Sequence, residues 1–191
     1  DEISQPVALA FEIRTDDDVV QIYASTGDTI TQHYIIDALR VMNKTLNNIT
    51  YITVYKNNVG VNFTGDGTFS GLQNLESFYS DGIGSNGLTS TTDHGFIDGS
   101  LRLGYVEIPS TLVTMGTNFA KGSASIEALH FQEPSQLITI GKSAFEGTAL
   151  TEVEFPASVT CINNSALSGT SLEKLSFPKN IKYIGEGVVN S

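Results

Sequence analysis

Leu150-Thr151-Glu152-Val153-Glu154-Phe155-Pro156 returns 22 residues later as Leu172-Glu173-Lys174-Leu175-Ser176-Phe177-Pro178. Each copy runs on into a second apolar pair, Val159 and Ile162 in the first and Ile181 and Ile184 in the second. Upstream, Ile126-x-x-Leu129-x-Phe131 and Leu103-x-x-Val106-x-Ile108-Pro109 fit the same frame at spacings of 24 and 23, so short insertions interrupt the repeat. Between the units stand Gly116 to Phe119, Gly141-Lys142-Ser143-Ala144-Phe145, Asn163-Asn164-Ser165-Ala166-Leu167 and Gly185 to Val189. Two looser units precede these. Leu75 and Phe78 follow Phe69-Ser70-Gly71, and Ile49-x-x-Ile52-x-Val54 reads as the first strand of the array.

A period in the low twenties around an apolar-x-apolar strand core is the pattern of a leucine-rich-repeat solenoid. One unit cannot bury its own apolar side, so units stack. Stacking aligns Val106, Leu129, Val153 and Leu175 in one ladder and Ile108, Phe131, Phe155 and Phe177 in another. The Ala-Phe pair plugs the returning side of the coil. Pro109, Pro156 and Pro178 end strands by removing a backbone donor.

The array is expected over 49–191, regular over 103–191 and irregular over 49–102. Residues 80–100, rich in Gly, Ser, Thr and Asp, read as a long surface loop. Residues 1–48 read as an N-terminal α/β cap with strands Val7–Ile13 and Val19–Tyr23 and one helix carrying Ile35, Leu39, Met42 and Leu46 on one face. Thr31 is its expected N-cap and Asn47-Asn48 its stop. A separate small domain is the alternative for this segment, with a thin core. The fold expected is thus a repeat solenoid, mainly β with short helical turns, behind a cap containing one helix.

The frame L-x-x-[VIL]-x-[IF]-P-x-x-[VIL]-x-x-I-G-x-x-A-F-x-G resembles the BspA-type leucine-rich repeat, most specifically at Ile140-Gly141-Lys142-Ser143-Ala144-Phe145-Glu146-Gly147. The sequence departs from it at Asn163 for Gly, Leu167 for Phe and Val188-Val189 for Ala-Phe. The resemblance implies a secreted or surface-attached protein of a host-associated bacterium, or of some protozoa. It also implies a role in adhesion and protein binding rather than catalysis.

Composition narrows the function from another side. The 191 residues carry 21 Asp and Glu against 10 Lys and Arg, a net charge of -11. Such a surface repels phosphate, which argues against nucleic acid and anionic membrane as partners. The single Cys161 excludes an internal disulfide and a structural zinc cluster. No apolar run reaches a membrane span. Asp1 to Pro6 carry no leader pattern, which a processed or trimmed chain would lack in any case.

Four motifs invite chemistry and each has a plainer reading. Gly141-Lys142-Ser143 resembles the end of a P-loop, but Gln136 stands where that motif needs glycine, and the three residues occupy the repeat's own slot. Gly82-Ile83-Gly84-Ser85-Asn86-Gly87 is followed by a poor helix opening, so it reads as loop. Asp93-His94 has no nucleophile elbow to serve. Asn43, Asn48, Asn62 and Asn163 begin glycosylation sequons that read as chance matches. No cofactor is expected.

The candidate site is the outer face of the strands. Side chains alternate along a strand, which sets Thr53, Tyr79, Glu107, His130, Glu154 and Ser176 in one external row. Tyr51, Ser77, Tyr105, Ala128, Glu152 and Lys174 form the neighbouring one. The binding residues assigned from these rows are Tyr51, Thr53, Tyr79, Tyr105, Glu107, His130, Glu152 and Glu154, with the tyrosines as anchors. His130 falls between Glu107 and Glu154, where charge pairing across strands accounts for the arrangement and no metal site is assigned.

The function expected is non-enzymatic adhesion or protein binding, outside the cell or on its surface, toward a protein or glycan ligand. A glycan-acting hydrolase or lyase using Asp and Glu of successive coils is one alternative, and a structural spacer of a larger surface protein another. The last coil carries Leu172, Leu175, Phe177, Ile181 and Ile184 with nothing after Ser191 to cover them, so end-to-end self-association is also expected.

Overall fold

A computed structural model of the chain describes residues 11–14, 19–23, 29–55, 62–63, 67–80 and 95–190. Where they are fully described, the coils of the array visit three places in turn. The first is a main sheet of β1 (Phe11–Arg14), β2 (Val19–Tyr23), β4 (Tyr51–Tyr55), β6 (Ser77–Ser80), β7 (Tyr105–Ile108) and β9 (His130–Phe131), continued by the separate pair β11 (Glu152–Glu154) and β13 (Lys174–Ser176). The second is a side sheet of β8 (Thr114–Met115), β10 (Thr139–Ile140), β12 (Cys161–Ile162) and β14 (Tyr183–Ile184), with β3 (Thr29–Ile30) and β5 (Asn62–Phe63) paired earlier in the chain. The third is a buried turn. Apart from the antiparallel β1–β2 pair, all pairings among the described residues are parallel, as successive coils of one hand require.

The apolar ladders pair as the repeat frame requires, Val153 with Leu175 and Ile108 with Phe131. Cys161 stands in register with Thr139 and Tyr183 on the side sheet. Burial pushes its thiol up from the ordinary range.

The turn is the most regular part. Its plug is a pair of residues just before a glycine, and in this chain the pair comes in several forms. Thr68-Phe69, Phe96-Ile97, Phe119-Ala120, Ala144-Phe145 and Ala166-Leu167 are all buried. Backbone bonds tie each plug to the next: Phe69 N–H donates to Phe96 O (3.0 Å), Phe96 to Phe119 (3.1 Å), Ala120 to Ala144 (2.7 Å), Phe145 to Ala166 (2.8 Å) and Leu167 to Val188 (2.8 Å). A second rung runs beside it through the glycines, as in Gly122 to Glu146 (2.8 Å) and Gly147 to Ser168 (2.9 Å). Gly147 sits at φ 72, the left-handed region that closes such a turn at low cost only for glycine. Gly141, once read against a P-loop, has a packing role. A Cβ there would overlap the Gly116 carbonyl of the preceding coil. Where Asn163 replaces glycine in this column, its side chain donates to Ile140 O at 3.1 Å.

Three expectations are corrected. Ser80 belongs to β6, and residues 95–100 are not surface loop: Phe96 and Ile97 are plug residues in the core. Residues 81–94, with the glycine motif and His94, lie outside the described residues, as do residues 7–10 of the first expected strand. Ile49 to Val54 is not the first strand of the array, because β2 lies parallel to β4 and precedes it. The helix is α1 (Gln32–Val41), capped by Thr31, whose side chain accepts from Tyr34 N–H. It stops before Asn47-Asn48. Leu46 opens a separate short 3-10 turn and packs on the core from there.

This helix occupies the place that a plug occupies elsewhere. It follows β2 and β3 as a turn follows each later strand pair. Ile35, Ala38 and Leu39 enter the same core as Ile52 and Phe69. Gln32 Nε2 donates to Gly67 O and Ser70 O, both at 3.1 Å, on the turn of the next coil. No described helix is long and apolar enough to cross a membrane.

At the other end the apolar edge is open, with Phe177, Ile184 and Val189 about half exposed. Phe155 and Phe177 hold equivalent places in the frame, at 4% and 43% exposure. Phe155→Ala is therefore expected to lower stability by about 3–5 kcal/mol and Phe177→Ala by about 1 kcal/mol, read from urea unfolding midpoints of the two variants.

Candidate functional site

The outer face of the main sheet carries an aromatic column. Tyr51 stacks on Tyr79 with ring centroids 4.9 Å apart, Tyr79 on Tyr105 at 4.4 Å, and Tyr105 on the His130 imidazole at 4.5 Å. The interplanar angles, 27°, 26° and 20°, make this one near-parallel stack across four strands. Strand spacing sets the repeat: neighbouring strands lie about 4.8 Å apart, close to the distance at which rings stack offset.

The backbone register pairs Tyr51 with Ser77 and Ser77 with Tyr105, and Thr53 with Tyr79. Tyr79 thus belongs to the other row. Its ring leans diagonally between Tyr51 and Tyr105, within the reach of large side chains on adjacent strands. Sequence reasoning placed the residues and their two rows; the interleaving of the rows into a single column it missed. Thr53 stands beside Tyr79 and is not part of the stack.

Glu107 fixes the column's centre. The Tyr105 hydroxyl donates to Glu107 Oε2 at 3.0 Å, and Gln132 Nε2 donates to Glu107 Oε1. Burial, the hydrogen bond to Glu107 and the nearby carboxylate charge push the Tyr105 phenol up to about 12. Burial, with Tyr51 and Glu107 as neighbours, raises Tyr79 as well. The raised phenols of Tyr79 and Tyr105 keep their protons at physiological pH. Gln132 was not foreseen as a site residue. The signal for it was the spacing from Phe131 to Leu137, two residues longer than Phe155 to Val159.

Glu152 and Glu154 do not join the column. They are the exposed side chains of β11, and β9 forms no ladder with β11. The extra residues after Phe131 turn back on the preceding coil, Ser110 N–H donating to Gln132 Oε1 (3.4 Å) and Gln136 N–H to Ser110 O (2.9 Å). A groove of about 410 Å³ occupies the break, floored by Leu129, Phe131 and Val153 and walled by Glu152, Glu154 and Lys174. Among the described residues no three His, Cys, Asp or Glu groups come together to hold a metal ion. The carboxylate of Glu107 is instead held by Tyr105 and Gln132.

Residues 118–191 match the family model of the BspA type leucine rich repeat region. The match takes in the coils from the plug Phe119-Ala120 onward and leaves β7 and β8 outside it. Two solved leucine-rich repeat proteins share the fold. One, from Bacteroides ovatus, has 17% identity and a TM-score of 0.55 over 94% of this chain. The other, from T. pallidum, has 16% identity and a TM-score of 0.53 over 96%. The chain spans 42% of the Bacteroides ovatus protein and 86% of the T. pallidum one. No curated protein matches the sequence. The BspA-type frame accounts for the inward residues; the aromatic column lies mostly upstream of the matched stretch and is a feature of this chain's own outward positions.

The raised Tyr105 phenol has a pH consequence. The folded chain keeps that proton to about 12, while the unfolded chain releases it near 10, so the native state binds the extra proton in between. The associated stability is complete below pH 10 and is lost as pH rises through 12. Glu107→Gln removes the charged acceptor and is expected to bring the phenol down toward its ordinary value. Tyr105→Phe is expected to delete the latest step in the phenolate absorbance titration.

Proposed function

We propose that this protein is a non-enzymatic binding module that acts outside the cell or at its surface, adhering to partner proteins through the outer face of its main sheet. The observation that carries this reading is the Tyr51–Tyr79–Tyr105–His130 column. Tyrosine joins a large contact area to a hydrogen-bonding tip and loses little conformational freedom on binding. Here the stack and Glu107 hold the rings in place before any partner arrives, which lowers the entropy lost on association. The leucine-rich repeat fold supports a protein-binding role, and the BspA-type resemblance supports adhesion.

The glycan-cleaving alternative draws no support from the groove. A glycosidase pair flanks its bond from two sides. Glu152 and Glu154 stand two residues apart on one strand, and the β9 side of the groove contributes Ala128, Leu129 and Phe131, none of them a carboxylate.

The test is binding of the purified chain to immobilised extracellular matrix proteins, with a glycan array in parallel. Saturable binding to a protein is expected. Tyr79→Ala, which removes the middle of the column, is expected to weaken it by roughly thirtyfold, the scale of a central hot spot. Absence of protein binding, or full binding by the folded Tyr79→Ala variant, would overturn the reading.

A further inference from the structure

At its His130 end the column faces the break in the sheet. His130 is exposed, and among the described residues no ring stacks on the side of its imidazole away from Tyr105. In the direction of β11 the next outward side chains are Glu152 and Glu154. Both are exposed, and neither forms a hydrogen bond or ion pair among the described residues. Lys174 stands in register with Glu152 and is not joined to it by an ion pair. Between the two strands lies the groove, with the half-buried Leu129 and Phe131 and the buried Val153 on its floor.

These features specify one kind of occupant. An apolar floor suits a chain of methylenes, unpaired carboxylates suit a cation, and the open face of a stacked ring suits a flat group. A lysine ammonium satisfies the first two only, whereas a guanidinium satisfies all three because it is planar, weakly hydrated and forked. The net charge of -11 favours the approach of a basic partner at longer range. Resting on the binding role proposed above, we propose that the groove between β9 and β11 takes an arginine side chain of the partner protein. Its stem would lie along Leu129 and Phe131, and its guanidinium would extend the aromatic column past His130 while bonding Glu152 or Glu154.

The experiment is a titration of the isotope-labelled full chain, followed by NMR, with N-acetyl-arginine amide, its neutral citrulline counterpart and N-acetyl-lysine amide. Saturable shifts confined to residues 128–131 and 152–154 are expected with the arginine compound, at a Kd on the order of millimolar, the range of a single weak contact. Citrulline should give no saturable shift, and lysine should bind more weakly than arginine. Glu152→Gln combined with Glu154→Gln should weaken arginine binding about tenfold, and Lys174→Met should tighten it by removing a like charge. Both changes are on exposed side chains, and an unchanged spectrum elsewhere reports that the variants fold. Equal responses to arginine and citrulline, arginine no tighter than lysine, or arginine shifts that map away from the groove would each overturn the assignment. Because these probes are single residues, a negative result leaves adhesion through the tyrosines standing, and loss of adhesion in Tyr79→Ala leaves the groove's own titration readable.

Discussion

The fold depends on an unbroken ladder of backbone hydrogen bonds along its returning side. From Phe69 to Val188 every plug passes a bond to the next coil, and the glycines add a second rung. Neither sheet has this continuity among the described residues: the main sheet stops at β9, and the side strands fall into two groups. At the step from the β9 coil to the β11 coil the main sheet contributes nothing. There the coils are held by β10 on β12 and by the turn bonds Phe145 to Ala166 and Gly147 to Ser168. Backbone groups buried in that turn must be paired, and the stacked coil satisfies them wherever an insertion has loosened the face opposite.

That division of labour explains how a binding face coexists with a regular core. The two-residue insertion falls after the β9 strand and a one-residue insertion between Gly122 and Ile126; neither falls in a plug. The two additional residues after Phe131 pull the chain back toward Ser110, opening a groove, and the core beneath it stays closed because Val153 and Phe155 remain buried. A solenoid tolerates this because each coil needs only its neighbours. The same looseness placed inside the turn would leave buried donors without acceptors.

What was legible in the sequence follows from this. Inward residues obey the period, so Leu150, Val153 and Phe155 announced their strand, and Val153 pairs in register with Leu175, although the expected ladder is interrupted between Leu129 and Val153. The Phe96-Ile97 plug departs from the alanine-then-phenylalanine order of the frame, because the interior asks only for enough apolar volume from the pair. Phe119-Ala120 meets it in reverse order. The helix was visible as periodicity in Ile35 and Leu39, but its place in the coil was not, since nothing local says that ten helical residues take the place of a plug turn. The outward rows hold in register from β4 to β9 and again from β11 to β13, and break between β9 and β11. Their merger into one column depends on how far a tyrosine ring leans toward the next strand, which alternation alone does not state.

The column follows from strand spacing as much as from residue choice. Parallel strands repeat at a distance close to that of offset rings, so an aromatic residue at any outward position is driven to stack on a similar neighbour. Stacking turns the faces of the inner rings toward one another. A flat sugar that needs an open ring face therefore finds none on Tyr79 or Tyr105, whereas a protein surface can pack along the ring edges. Glu107 strengthens that character by anchoring Tyr105 and holding its proton. The face is consequently rigid and aromatic along the column and acidic at the β9–β11 break, two different chemistries set side by side by one interruption in a repeat.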